Sequence, residues 1–441
     1  MVALSAPIRA ARVAPARRLA APPSFPHFKS TAGDQLDPKL GDRFAGLRVR
    51  LRNAFTPSQP VTDRRLFAGR AKTMSDLIRS IEDERLHTVI YGERGIGKTS
   101  MLHVLAQAAR DARYQVVYVS CGAESNFDEM IRSVARGIPL LFHGEYGPTS
   151  PEAEKHASLA NLLTAEPISV RTASDLLHTV TGTRVLVILD EFDRCESRDF
   201  RRCVGELLKS LSDRSSRVQL VIAGVAANLT ELVENVPSVQ RNVYALNVPK
   251  MTATEIRQLV TNGEEVSGVL FDDAATQAII SRAIGFPYLA SLLGHRAGLL
   301  AIDDGRTTVT ADDVAVATSE AVAELKGRIS KRSQMQISDC VQAGMLGTLG
   351  AVAGAAQSSG GQFTSDDIGA LRGDAESIAK AKTLIDHLAT AGALIERQED
   401  EFGHSYRFVE DSVPIYLWLL SAQHRFAETS ETAPAPVAAE R

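Results

Sequence analysis

The chain has 441 residues, 44% of them hydrophobic and 23% charged. This is a globular balance that excludes wholesale disorder and leaves room for two or three domains. No apolar run approaches the ~20 residues of a bilayer span. The four cysteines form no C-x-x-C pair, which excludes a disulfide scaffold or Cys-rich zinc module and fits a reducing, cytoplasmic setting. With a net charge of −4 the protein is no polyanion binder by bulk charge, so a nucleic-acid role needs a local patch.

Residues 1–30 hold Arg9, Arg12, Arg17, Arg18 and Lys29, no acid and several prolines. They read as a disordered tail, with an organelle-targeting segment as the alternative. Arg48, Arg50 and Arg52 alternate with Val49 and Leu51. That segment reads as a solvated face, with an edge strand or a basic arm as alternatives, so 1–60 is expected to be a disordered or extended arm. Helical spacing from Met74 is followed by a β-rich run, His87–Tyr91, and a second helix from Thr99. Further strands are expected at 114–119, 184–189, 218–223 and 243–248. Strands alternating with helices imply a parallel α/β sheet. The Pro- and Gly-rich stretch 137–170 reads as an insertion or a surface loop.

After Pro249 the strands are expected to stop. Thr252-Ala-Thr-Glu255 is a capping-box pattern, Pro287 suits a first helical turn, and Thr310 opens a fourth helix, so 251–326 reads as an all-α unit. A basic joint follows at Lys326, Arg328, Lys331 and Arg332. Residues 334–425 give three helices (342–356, 365–371 and 375–391) and two extended segments around 401–404, the layout of a winged helix. Residues 426–441 read as a tail. The run around Trp418 is expected to pack this last unit onto the body.

The strongest chemical signal is Gly92-Glu93-Arg94-Gly95-Ile96-Gly97-Lys98-Thr99, continued by Ser100. It fits G-x-x-x-x-G-K-[ST], after a strand and before a helix. Its glycines let backbone N–H groups converge on a phosphate, Lys98 is expected to reach the outer phosphates, and the Thr99 hydroxyl to ligate Mg²⁺. The strand at 184–189 ends in Asp190-Glu191. Asp190 suits the metal shell, and Glu191, where the chain leaves the sheet, suits a water-polarising base. Asp193 either serves the site or caps the next helix. Asn228, beyond the strand at 218–223, is either a γ-phosphate sensor or a helix cap. Arg241 is either an arginine finger acting on a neighbouring subunit or a surface arginine.

These motifs resemble those of AAA+ and STAND-type P-loop ATPases of the origin-recognition/initiator-like branch. Leu66-Phe67-Ala-Gly69-Arg70 resembles the family's N-terminal box, which implies that Phe67 and Arg70 help enclose adenine. Gly92–Thr99 matches Walker A and Asp190-Glu191 matches Walker B. Gly224–Asn228 resembles the sensor-one segment with its Asn one place late. Gly285-Phe-Pro287 resembles the element by which STAND lids meet the nucleotide, with Tyr288 where an arginine often stands. The resemblance implies a P-loop core at 61–250, a helical lid at 251–326 and a winged helix. It also implies ATP or ADP with Mg²⁺ as ligands.

The expected function is an ATP-hydrolysing switch that passes its nucleotide state to a protein partner or a second copy of itself. The alternative is an ATPase whose main task is binding duplex DNA. From Gln362 to Arg425 the acids outnumber the bases, which disfavours phosphate contact there. A DNA surface would have to use the joint at 326–332 or the arm at 43–52. A small-molecule phosphotransferase is a weaker reading, given so large an appended region. No membrane role is expected.

Overall fold

The strand that precedes the glycine-rich loop sits next to the middle of a five-stranded parallel sheet, and this placement organises everything around the candidate site. The computed structural model describes residues 45–146, 150, 157–226, 229–232, 241–358, 361–364, 366–368, 375–392, 394–400 and 403–431. In the core, β1 (His87–Tyr91), β2 (Gln115–Ser120), β3 (Val185–Asp190), β4 (Val218–Gly224) and β5 (Val243–Asn247) stand in the order β2-β3-β4-β1-β5. β3 and β4 are buried along their whole length, as central parallel strands covered on both faces must be. Parallel pairing brings every strand's C-terminal end to one edge, where ligands of open α/β sheets bind.

α1 (Ala45–Ala54) and α2 (Ala71–Glu82) precede the sheet. α3 (Lys98–Asp111), α4 (Phe127–Arg136), α5 (Val170–His178), α6 (Arg198–Asp213) and the short α7 (Leu229–Leu232) lie among its strands. The lid has α8 (Ala253–Ser267), α9 (Asp273–Ala283), α10 (Pro287–Asp303) and α11 (Ala311–Gly327). The Thr252/Glu255 capping box forms, and Pro287 takes the first turn of α10. The C-terminal unit has α12 (Lys331–Gln342), α13 (Leu346–Ser358), α14 (Ala375–Ala391) and α15 (Val413–Glu431). Its three-stranded antiparallel sheet orders β8 (Gln362–Phe363), β10 (Gly403–Phe408) and β9 (Ile395–Asp400) as β8-β10-β9. The hairpin therefore forms as expected; of the helix expected at 365–371, Ser365 and 369–371 lie outside the described residues.

Several expectations are corrected. The segment 45–54 is a helix, not an extended arm, because Leu51 and Phe55, one turn apart, are both fully buried. Phe55 fills a niche that glycines create in the lid: a Cβ at Gly263 would stand 2.2 Å from its Cζ. Arg48 pairs with Asp303, and Arg50 donates to the Ser267 carbonyl at 3.1 Å, so these arginines hold α1 to the lid. The lid is not purely helical, since Leu270–Phe271 (β6) and Thr308–Val309 (β7) form a parallel pair. In the stretch 137–170, of which residues 147–149 and 151–156 lie outside the described residues, Ile138, Leu140 and Leu159 are buried in the core. Of the basic joint, Lys326 lies in α11 and Lys331 and Arg332 in α12; Arg328, just past α11, pairs with Glu324, and Arg332 donates to the Ala391 carbonyl. The C-terminal helix runs on through residue 431. Residues 1–44 and 432–441, with the targeting and tail readings that fall on them, lie outside the described residues.

Candidate functional site

A cleft of about 720 Å³ opens at the C-terminal edge of the core sheet, within the size range of small-molecule sites. One wall is the core: Glu93, Arg94, Gly95, Gly97–Ser100, Asp190, Glu191 and Asp193. The lid adds Phe286, Pro287 and Tyr288, the N-terminal segment adds Thr56–Val61 and Phe67, and the C-terminal unit adds Gln357 and Arg407.

The loop after β1 has the shape the motif requires. Gly97 adopts φ 95° at the N-cap of α3, so the helix presents its unpaired N–H groups and positive dipole end to the cleft. There is no space to spare: a Cβ on Gly97 would lie 3.1 Å from an Arg70 nitrogen and 3.4 Å from Pro287 Cγ. Gly92 and Ile96 do not line the cleft; Ile96 is buried, and the Gly92 carbonyl accepts a hydrogen bond of 2.8 Å from Lys98 Nζ. Lys98 Nζ also donates to the Glu93 carbonyl at 2.9 Å. Burial pulls the Lys98 ammonium down to about 8, against the opposing attraction of Asp193, Asp190 and Glu93. Burial pushes the Glu93 carboxyl up to about 7, against Lys250, whose Nζ lies 3.5 Å away and 4.6 Å over the Phe286 ring. The loop, the linker after β5 and the lid thus meet at one seam.

The acid pair is held equally closely. β2 lies beside β3 with Ser120 opposite Asp190, so Tyr118 and Ser120, two residues apart, share a face beside the acids. Tyr118 donates to Asp190 Oδ2 at 2.6 Å while its ring stacks on His103, and the Glu191 N–H donates to Asp190 Oδ1 at 2.8 Å. Glu191 sits at φ 56°, a strained backbone for a non-glycine residue that turns its side chain out of the strand. Its Oε2 accepts from Ser120 Oγ at 3.2 Å and pairs with Arg194 at 3.0 Å. Asp193 caps no helix; its Oδ1 accepts from the Val225 N–H at the tip of β4, and Ser197 caps α6 instead.

Other expected residues fall differently. Phe67 and Pro287 line the cleft. Arg70 also reaches it, and its two terminal nitrogens donate to the carbonyls of Ile96 (2.6 Å) and Pro249 (2.9 Å), bracing the loop against the linker. Ser100 Oγ accepts from the Val61 N–H at 3.0 Å and so fixes the segment at the cleft's end. Arg241 is exposed before β5, at the sheet edge opposite the loop, and does not line this chain's cleft. Asn228 lies outside the described residues. Sequence reasoning missed Tyr118, Ser120, Arg194, Lys250 and Gln357. The i, i+2 spacing of Tyr118 and Ser120 was visible, but that β2 neighbours β3 was not.

A glycine-rich loop at the head of a helix, an acid pair two strands away and a helical unit lining the same cleft define an AAA+-type P-loop NTPase. The chain belongs to the Novel STAND NTPase 1 family, whose model matches residues 54–343. No curated protein matches it. Solved structures similar to it include Cdc6p from Pyrobaculum aerophilum (16% identity, covering 85% of this chain and 98% of that one, TM-score 0.47). The Aeropyrum pernix ORC1 protein in complex with DNA (15%, 87% and 98%, 0.45) is another. The Thermotoga maritima RuvB Holliday junction branch migration motor (15%, 87% and 100%, 0.42) is a third. Among the described residues no helix is long and apolar enough to cross a membrane.

Proposed function

We propose that the chain binds and slowly hydrolyses ATP in this cleft, and that the nucleotide state sets how the lid and the C-terminal unit meet a protein partner or a second copy. The observation that carries the reading is Lys98: a buried ammonium at a helix N-terminus, tied only to carbonyls of its own loop and beside Asp190 and Asp193. A triphosphate would give that ammonium a directly bonded anion, where its hydrogen bonds among the described residues go to carbonyls. The residues fit a magnesium nucleotide, since Thr99 and Asp190 both line the cleft and Asp190 is oriented by two hydrogen bonds. Mg²⁺ held there would neutralise charge on the outer phosphates.

Each residue then has a role. Lys98 holds the outer phosphates, and the N–H groups around Gly97 cradle them. Glu191 orients water and accepts its proton once Arg194 releases it. Phe67 and the segment 56–61 enclose the base. Arg241 serves a neighbouring copy, and Asn228 senses the terminal phosphate. Duplex DNA is the less favoured partner, because Arg48, Arg50, Arg328 and Arg332 are engaged within the chain. The test is calorimetric titration with ATP and Mg²⁺. Lys98→Ala removes the cation proposed to hold the outer phosphates and is expected to lose about 2–5 kcal/mol of affinity; binding equal to that of the unaltered chain refutes the proposal.

A further inference from the structure

The C-terminal unit brings one side chain to the cleft that its own fold leaves unsatisfied. Gln357 lies in the last turn of α13, is 5% exposed and lines the same cleft as Lys98 and Thr99. Neither its Oε1 nor its Nε2 has a hydrogen-bond partner, so exchanging the two ends of the amide does not help. Among the described residues it is the one buried amide orphaned at both ends. Gln219 in the core shows the opposite case: equally buried, its Nε2 donates to the Ile81 and Leu86 carbonyls at 2.9 and 3.0 Å. Burying an amide without partners is unfavourable, and a native fold that keeps one at a cleft wall has a use for it.

Its surroundings point to that use. Arg407 and Asp411 line the cleft with Gln357, and Asp411 pairs with Arg94 of the glycine-rich loop at 3.4 Å, so this wall faces the phosphate-binding loop. We infer that Gln357 is a nucleotide-contacting residue, supplied by the C-terminal unit to the same molecule that Lys98 holds. The inference rests on the proposed reading of the cleft. The amide offers N–H donors to phosphate or ribose oxygens and a carbonyl to a hydroxyl or amino group. Nucleotide affinity is then linked to the packing of the C-terminal unit, since only the docked unit presents this group.

The test compares the full chain with Gln357→Leu, which keeps the volume and removes the polar atoms. Kd for ADP and for ATP, each with Mg²⁺, is measured by calorimetry, and the melting temperature is measured without nucleotide. The expected result is a roughly tenfold rise in Kd, with a nucleotide-free melting temperature equal to or above that of the unaltered protein, because an orphaned amide has gone. A rise for ATP alone puts the amide on the terminal phosphate, and a rise for both puts it on parts the two share. Unchanged Kd for both overturns the inference, whatever the melting temperature does. Gln357→Met is the second variant if leucine does not fold, with the same expectations. If the unaltered chain binds neither nucleotide, the cleft reading itself has failed, which is a separate outcome.

Discussion

The two walls of the cleft are built differently. On the core side every charged group that bears on chemistry is fixed by directional bonds: Lys98 to two carbonyls, Asp190 to Tyr118 and the Glu191 N–H, Glu191 to Ser120 and Arg194, Asp193 to Val225. On the lid side apolar packing adds to the bonds made by Arg48, Arg50 and Glu255, with Phe55 packed against Gly263 and Gly294, Tyr288 against Gly95 and Pro287 against Gly97. Hydrogen bonds fix angle and distance, whereas apolar packing is non-directional and tolerates sliding. The core wall is therefore set mainly by directional bonds, while the lid wall rests in part on packing.

Three perturbations put that contrast under strain. The largest effect is expected on the core side. Glu191→Gln keeps the shape of the bonded carboxylate but removes the base, so ATP binding should persist while single-turnover hydrolysis falls roughly 10²–10⁴-fold; undiminished turnover would mean that water is activated from elsewhere. On the lid side, Gly263→Ala places a methyl against the Phe55 ring, and thermal denaturation should show a loss of about 1–3 kcal/mol. If stability holds, α1 is not seated by that niche.

The smallest effect concerns the seam between the walls. A bound nucleotide's negative charge favours the protonated forms of both Glu93, poised at about 7, and Lys98, poised at about 8. Binding therefore takes up protons and weakens as pH rises, by at most about tenfold per unit for each group. ADP affinity with saturating Mg²⁺, measured from pH 6 to 9, should fall across both values. Glu93→Gln should remove the step near 7 and leave the one near 8. An affinity flat in pH would show that neither group feels the ligand.

The core wall was largely legible in the sequence, because its signals are local. The glycines and Lys98 are contiguous, and Asp190-Glu191 ends an unbroken apolar run. What holds those groups was not legible, since Tyr118 reaches Asp190 across 72 positions and only the strand order makes them neighbours. The first helix was misread because Arg48, Arg50 and Arg52 suggested alternation, while the informative spacing was Leu47, Leu51 and Phe55. Gln357 carries no pattern of its own; its interest comes from the partners that folding withholds.

The segment from Phe55 to Val61 has a mechanical meaning. One end is anchored in the lid by the Phe55 ring and the other on the core by the hydrogen bond from Val61 to Ser100. Six peptide steps reach about 20 Å when fully drawn out. The segment is thus a short tether between the two anchors, and because Thr56–Val61 also border the cleft, any change in the distance between those anchors would reshape the cavity they line.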